Sequence, residues 1–368
     1  MAALFDVGSA RLRAPTGLFS PDWLYYRKRL WYRPTLALSA GIVSAFYETT
    51  LPEAKLVEGL LSPCWVNAHV HLELTHLQGK FPQGRGMIDF LTKMGPERGT
   101  ASPSAIRAAL EAALAEGTCA FVSHQNVPLP PQAIPEGVIV QPLGEFFGLR
   151  MQRVHARLRK VKKWGYPLTP HSFYSLSRPL WRAARQESSF PRSIHFFESV
   201  EEKLWLEKGE GPFRLFFRRF IRHPRPPQWK KHLRQLYRRV PAVWLVHATE
   251  VPQQLMEGLM QRFPRLYAVL CPEANFYLFR RFPDWRFWRK YADRLLIGTD
   301  SLANSPSLSV WQSVRRFWMS GFSWEEILQA VVETPRQWIS APPLWVRIYP
   351  VGKEAQILPE SRAELFIG

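Results

Sequence analysis

Through the middle of the chain, short uninterrupted apolar runs alternate with longer stretches in which apolar residues recur every three or four positions. Eight runs have the length of buried strands: Cys64–Ala68, Thr118–Ser123, Gly137–Leu143, Leu168–Tyr174, Ser193–Glu198, Ala242–His247, Leu266–Leu270 and Leu295–Gly298. Helical patterns lie between them. The plainest begins at Ser102-Pro103 and closes on Gly117, with a serine cap, a proline in the first turn and a terminal glycine. Met151–Lys163, Gln228–Arg239, Pro252–Gln261 and Leu308–Met319 are similar in length. Strand and helix alternating eight times over roughly 240 residues predict an α/β protein whose parallel strands close into a (β/α)8 barrel.

The two ends read differently. Residues 1–60 carry Pro15, Pro21, Pro34 and Pro52 and only short apolar runs, which suits strands joined by turns. Towards the C-terminus, Val346-Arg347-Ile348-Tyr349 and Ala363–Ile367 read as short strands. The expected organisation is a barrel over residues 61–340, with 1–60 and 341–368 combining in a small β subdomain.

Composition changes this picture little. Of 368 residues, 46% are hydrophobic, which excludes a disordered or coiled-coil chain. The net charge of +19 fits a nucleic-acid partner, an anionic surface or a generally basic composition; the 15 Trp and 32 Pro favour the last. Arg214 to Arg239 holds ten Arg or Lys and no acid, interleaved with Phe213, Phe216, Phe217, Phe220 and Trp229. That segment falls between the fifth and sixth strands and reads as an amphipathic helical excursion with a basic outer face. A barrel repurposed to bind nucleic acid is the reading from a different class. Cys64, Cys119 and Cys271 are odd in number and far apart, so no disulfide is expected and a reducing compartment is favoured. Asp6 interrupts any signal-peptide core, and Leu36–Phe46 is too short to span a bilayer. A soluble cytoplasmic protein without a membrane partner is the expectation, with room for a homodimer.

The chemistry is positional. Five of the ten histidines lie in the predicted strands or just past their C-terminal ends: His69, His71, His171, His195 and His247, with Asp300 after the eighth strand. In a barrel those ends share one face, and that face holds the active site. His69 and His71, two apart, point to one side of a strand and can share a cation. That pair alone is a weak signal. With His195 and Asp300 it becomes a three-imidazole, one-carboxylate set suited to Zn(II), with Fe(II) as the second choice. Glu198 follows His195 by three, so the strand must end or bulge for both to face the site. Phe196 and Phe197 would raise its carboxyl pKa by desolvation, as a proton shuttle needs; a helix-cap glutamate at the surface is the alternative. A lone histidine in the position of His247 is more often structural than catalytic.

Taken together, these segments resemble the amidohydrolase superfamily, in the branch of cytosine-deaminase-like and chlorohydrolase-like aminohydrolases. The matching stretches are Pro63–Leu74 (PCWVNAHVHLEL), Gly117-Thr118, Thr169–Ser177 (TPHSFYSLS), His195–Leu206 (HFFESVEEKLWL), Trp244–His247, Cys271–Asn275 (CPEAN) and Gly298–Leu302 (GTDSL). The resemblance implies one divalent metal on His69, His71, His195 and Asp300. It also implies Glu198 and His247 as catalytic groups and His171 as a substrate contact. The sequence departs from the pattern at Ser123-His124-Gln125-Asn126, where relatives often carry an aspartate, and at Glu273.

The implied reaction is hydrolysis of a non-peptide C–N bond with release of ammonia. Asp300 would accept a proton from a water whose pKa the metal lowers, and Glu198 would protonate a ring nitrogen. The segment from His71 to Lys80, then Gly84 and Gly86 ahead of Met87–Met94, resembles aminofutalosine deaminase-type proteins. That implies an aminopurine nucleoside, 6-amino-6-deoxyfutalosine of menaquinone biosynthesis. Adenosine, methylthioadenosine, adenosylhomocysteine or guanine deaminases and chlorohydrolases are the alternatives. Glu73 and Glu145 join His171 as candidate substrate contacts. Arg150 is a candidate partner for a substrate carboxylate, or a solvated arginine opening the next helix.

Overall fold

The computed structural model describes residues 14–149 and 151–368. The proline-punctuated start forms five strands, β1 (Gly17–Tyr26), β2 (Arg29–Tyr32), β3 (Thr35–Ser39), β4 (Ile42–Tyr47) and β5 (Lys55–Pro63). β1 pairs antiparallel with β2 and β3, and parallel with β5. Alternation along them buries Phe19, Leu24, Leu36, Leu38, Val57 and Leu61 in a cluster of their own.

Eight parallel strands follow in two sheets of four. The first holds β6 (Trp65–Val70), β7 (Thr118–Gln125), β8 (Ile139–Phe146) and β9 (Leu168–Pro170). The second holds β10 (Arg192–Phe196), β11 (Val243–His247), β12 (Leu266–Leu270) and β13 (Leu295–Ile297). Single parallel bridges, Ser172 to His195 and Val70 to Asp300, link the sheets at their two seams. Every residue of β6, β7, β10 and β11 is buried, which is why these strands read as continuous runs rather than alternating ones. The remaining strands, β14 (Trp345–Val351) and β15 (Ile357–Phe366), return to the N-terminal sheet, where β14 pairs antiparallel with β5.

The helix Pro103–Ala115 starts where its cap predicts, with Ser102 Oγ accepting from the Ala105 N–H at 3.2 Å. It turns back through Gly117, whose φ of 87° and closeness to Val346 leave no room for a side chain. The fourth strand is shorter than the expected Leu168–Tyr174. Pro170 ends it, and the chain turns at His171, whose N–H still reaches the Phe146 carbonyl at 3.1 Å. Among the described residues no helix is long and apolar enough to cross a membrane.

The cysteine expectation is corrected here. Cys64 and Cys119 form a disulfide, with Cα atoms 6.0 Å apart, and only Cys271 is free and buried. The sequence hides the pair because its members are neighbours across two strands: Trp65 stands beside Thr118 in the β6–β7 register. The argument from cysteine count to a reducing compartment therefore lapses.

A bond that closes a 55-residue separation should stabilise the fold by about 2–4 kcal/mol, chiefly by restricting the unfolded chain. Reduction, or Cys64→Ser with Cys119→Ser, should lower the unfolding free energy by that amount in denaturant titration. Alkylation of the denatured, unreduced chain should label Cys271 alone; labelling of all three cysteines would show the pair to be absent.

Candidate active site

The buried polar side chains collect where the parallel strands end. His69, His71, His124, Glu145, His195, Glu198, His247 and Asp300 are all buried there. The β6–β13 seam is laced by backbone bonds: Thr299 and Asp300 N–H each donate to the His69 carbonyl at 3.1 Å, and His71 N–H to the Asp300 carbonyl at 2.8 Å. Asn67, one turn of the pleat earlier, donates to Thr299 Oγ1 at 2.7 Å and accepts from the His69 N–H at 3.2 Å. Gly298 lets the strands come this close, since a Cβ there would sit 2.8 Å from His69 Cβ.

Asp300 Oδ1 lies 3.5 Å from Nε2 of both His69 and His71. Its other oxygen is held by Asn304 Nδ2 at 2.5 Å and stands 4.0 Å from His247 Nε2. His195 donates Nδ1–H to the His171 carbonyl at 2.7 Å, leaving Nε2 to face inward. Donor atoms of His69, His195, His247 and Asp300 lie within 4.8 Å of one another. Both ring nitrogens of His69 and Nε2 of His247 are buried without a hydrogen-bond partner. Unpaired buried imidazole nitrogens around one carboxylate fit a divalent cation, which needs neutral imidazoles and ionised carboxylate. Burial holds His69 and His195 well below the usual histidine range, in that neutral form. Burial would raise Asp300, but the imidazoles of His69, His71 and His247 around it outweigh burial and hold it low. His71 shows the opposite balance. Burial would lower it, yet Glu145, Glu73 and Asp300 push it up to about 9.

Glu198, His247 and Asp300 sit at backbone turns of the left-handed kind. β10 stops at Phe196, and Phe197 at φ 47° swings Glu198 towards the site; His247 (69°) and Asp300 (64°) are similarly twisted. Such residues cost of order 1–3 kcal/mol each and persist where the surroundings fix them. Glu198 Oε1 lies 3.6 Å from His247 Nε2. Asn275 Nδ2 meets His247 Nδ1 at 3.5 Å, which places the histidine proton on Nε2, facing the two carboxylates. Burial, then the charges of Asp300 and Glu202, raise Glu198 well above the usual carboxyl range. Glu202 Oε2 accepts from the Glu198 N–H at 2.8 Å, and Ser199 Oγ caps the following helix by accepting from the Glu202 N–H at 3.1 Å.

The other candidates are placed as follows. His171 stacks on His195 with ring centroids 4.5 Å apart. Glu73 lies 3.7 Å from His71 Nδ1. Glu145 is fully buried, with one oxygen on His124 and the other on Asn126. Arg150 lies outside the described residues. The sequence reading assigned no role to His124, Asn126, Asn275, Glu202 or Asn304. His124 carried a usable signal, an inward histidine at the end of the second strand, while the rest bind neighbours that spacing does not reveal. Arg98 was also unremarked; its guanidinium lies 4.6 Å over the Phe147 ring, which packs against His171 at 5.6 Å.

No family model matches the chain. Among curated proteins it is 22% identical over 283 residues to an adenosine deaminase of Helicobacter pylori, covering 70% of this chain and 68% of the relative. It is 25% identical over 279 residues to an aminodeoxyfutalosine deaminase of a Nitratiruptor species, covering 70% and 67%. Among solved structures, an H. pylori aminofutalosine deaminase in complex with methylthio-coformycin superposes with a TM-score of 0.72 at 16% identity, over 92% of this chain and 93% of that one. A second solved structure, an adenosine deaminase from Xanthomonas campestris with bound zinc, superposes with a TM-score of 0.65 at 17% identity, over 95% of this chain and 88% of that one. The chain shares the fold of these proteins.

His69→Ala or His195→Ala should abolish bound divalent metal in elemental analysis of the purified protein; an undiminished equivalent would remove those residues from the site. Glu202 supplies a pH test. Burial lifts its carboxyl to about 7 from an ordinary 4.5, so the folded chain binds that proton more tightly than the unfolded one. Its contribution is complete below about pH 4.5 and is lost as pH rises through 7. Relative to wild type, Glu202→Gln should gain about 3 kcal/mol of unfolding free energy between pH 4 and 8. A pH-independent difference would show that Glu202 is ionised throughout.

Proposed function

We propose that the chain is a metal-dependent hydrolytic deaminase of an aminopurine nucleoside, with 6-amino-6-deoxyfutalosine as the leading substrate. The observation that carries this is the meeting of Glu198, His247 and Asp300 beside His69, His71 and His195. The class of the similar proteins supports it. Zn(II) is the leading metal and Fe(II) the second; the zinc-bound relative supports the first.

When bound, the divalent ion supplies Lewis acidity and lowers the pKa of a water towards neutrality. His69, His71, His195 and Asp300 would hold it. Asp300, oriented by Asn304, accepts the proton that the attacking water loses. His247 presents Nε2–H towards the same position and steadies the developing negative oxygen. Glu198, protonated at rest, delivers its proton to the purine ring nitrogen next to the amino-bearing carbon. That transfer lets the carbon become tetrahedral without charge on the ring; Asp300 then passes its proton to the amino group, ammonia leaves as the C–N bond breaks, and the hydroxyl proton returns to Glu198 as the carbonyl forms. Phe196 and Phe197, fully buried next to Glu198, keep bulk water from competing for that proton.

For the substrate's far end, His171 and Glu73 are proposed as contacts. Arg150 retains its proposed place opposite a carboxylate, and Arg98 gives the described part of the mouth a second guanidinium.

Ammonia release from a panel tests the assignment: aminodeoxyfutalosine, adenosine, methylthioadenosine, adenosylhomocysteine, guanine, cytosine and a chlorotriazine. The highest kcat/KM should fall on aminodeoxyfutalosine; preference for guanine, cytosine or the triazine would overturn the nucleoside reading. Glu198→Gln should keep its metal and lose about 10²–10⁴-fold in kcat, the usual contribution of a general acid. A loss below tenfold would move the acid role elsewhere.

A further inference from the structure

Three imidazoles in this cluster are presented alike. His195 gives Nδ1–H to a carbonyl at 2.7 Å, and His71 turns Nδ1 towards Glu73 Oε1 at 3.7 Å. The third is His124, near the end of β7, whose Nδ1 lies 3.2 Å from Glu145 Oε1. Asn126 braces both carboxylates, donating from Nδ2 to Glu145 Oε2 at 2.7 Å and to Glu73 Oε1 at 3.3 Å. One amide thus ties the two carboxylate–imidazole pairs together. An imidazole that donates from one nitrogen to such an acceptor keeps a lone pair on the other, and ligating histidines are held in this way.

His124 is fully buried, and its Nε2 has no partner. A buried polar atom left unsatisfied costs roughly 1–3 kcal/mol, a cost that a ligand would remove. His124 offers a nitrogen within 4.8 Å of donor atoms from His69 and His71. Its ring centroid stands 4.3 Å from that of His69, 5.4 Å from His71 and 5.9 Å from His195. His247 is the contrast: Asn275 donates to its Nδ1, so its Nε2 carries a hydrogen and suits a hydrogen-bond donor.

We infer that His124 is a fifth protein donor to the divalent ion of this site, with Glu145 as the residue that positions it. The inference rests on the metal reading and not on the identity of the substrate. Both oxygens of Glu145 are taken by His124 and Asn126, which is the arrangement of a support rather than of a substrate contact. Four imidazoles and a carboxylate exceed a tetrahedral shell. With the water that the reaction needs they make six, so ions that accept six donors, such as Fe(II), Co(II) and Mn(II), suit the set better than Zn(II).

X-ray absorption of the Zn-loaded wild-type protein reads this without any substitution. Four imidazole scatterers are expected; three would overturn the assignment. Chelator competition with Co(II) provides the second arm, using folded variants checked by circular dichroism. His124→Gln should weaken Co(II) by about 100-fold or more, and Glu145→Gln by about 10–100-fold, as loss of an outer partner does. The visible Co(II) bands should also strengthen in His124→Gln as coordination falls towards four. Affinity and spectrum unchanged in His124→Gln would overturn the proposal, and any loss of turnover would then make His124 a substrate contact. Wild-type protein that binds no divalent ion at all would overturn the metal reading itself.

Discussion

The β6–β13 seam is the constraint on which the site depends. The His69 carbonyl takes two backbone N–H groups from Thr299 and Asp300, and the Asp300 carbonyl takes one from His71. These bonds set the distance between the His pair and the carboxylate before any side chain is considered. Asn67 and Gly298 serve the same contact, one by a side-chain bridge and the other by having no side chain. Charge separation follows from it, because a carboxylate pinned between two imidazoles stays ionised in a place where burial alone would protonate it.

Two carboxyl groups in the same cavity end in opposite states. Asp300 is surrounded by histidines and stays low; Glu198 has apolar neighbours and other acids close by, and is raised. Packing alone thus drives two carboxyl groups in one cluster apart. The turns at Phe197, His247 and Asp300 matter for the same reason, since they aim these groups from the main chain and not through flexible side chains.

Much of this was legible in the sequence, for identifiable reasons. Strands buried on both faces leave unbroken apolar runs, so all eight were visible, and an HxH pair marks itself by its spacing. The ends were visible through prolines and a loss of helical period. What stayed hidden was lateral. The Cys64–Cys119 bond joins neighbouring strands across 55 positions. The supports from Asn275 and Asn126 likewise depend on which strand ends lie side by side, whereas Asn304 reaches Asp300 within one loop. Glu202 went unassigned, because its bond to the Glu198 backbone requires the turn at Phe197, which no residue type there announces. Pro170 cut the fourth strand short where its apolar pattern continued.

The eight parallel strands fall into two sheets joined by single bridges, and the donors are divided between them. His69 and His71 belong to one sheet; His195, His247 and Asp300 belong to the other. Neither half carries a complete set. The cluster therefore exists only where the two sheets meet, at the seams bridged by Val70 with Asp300 and by Ser172 with His195.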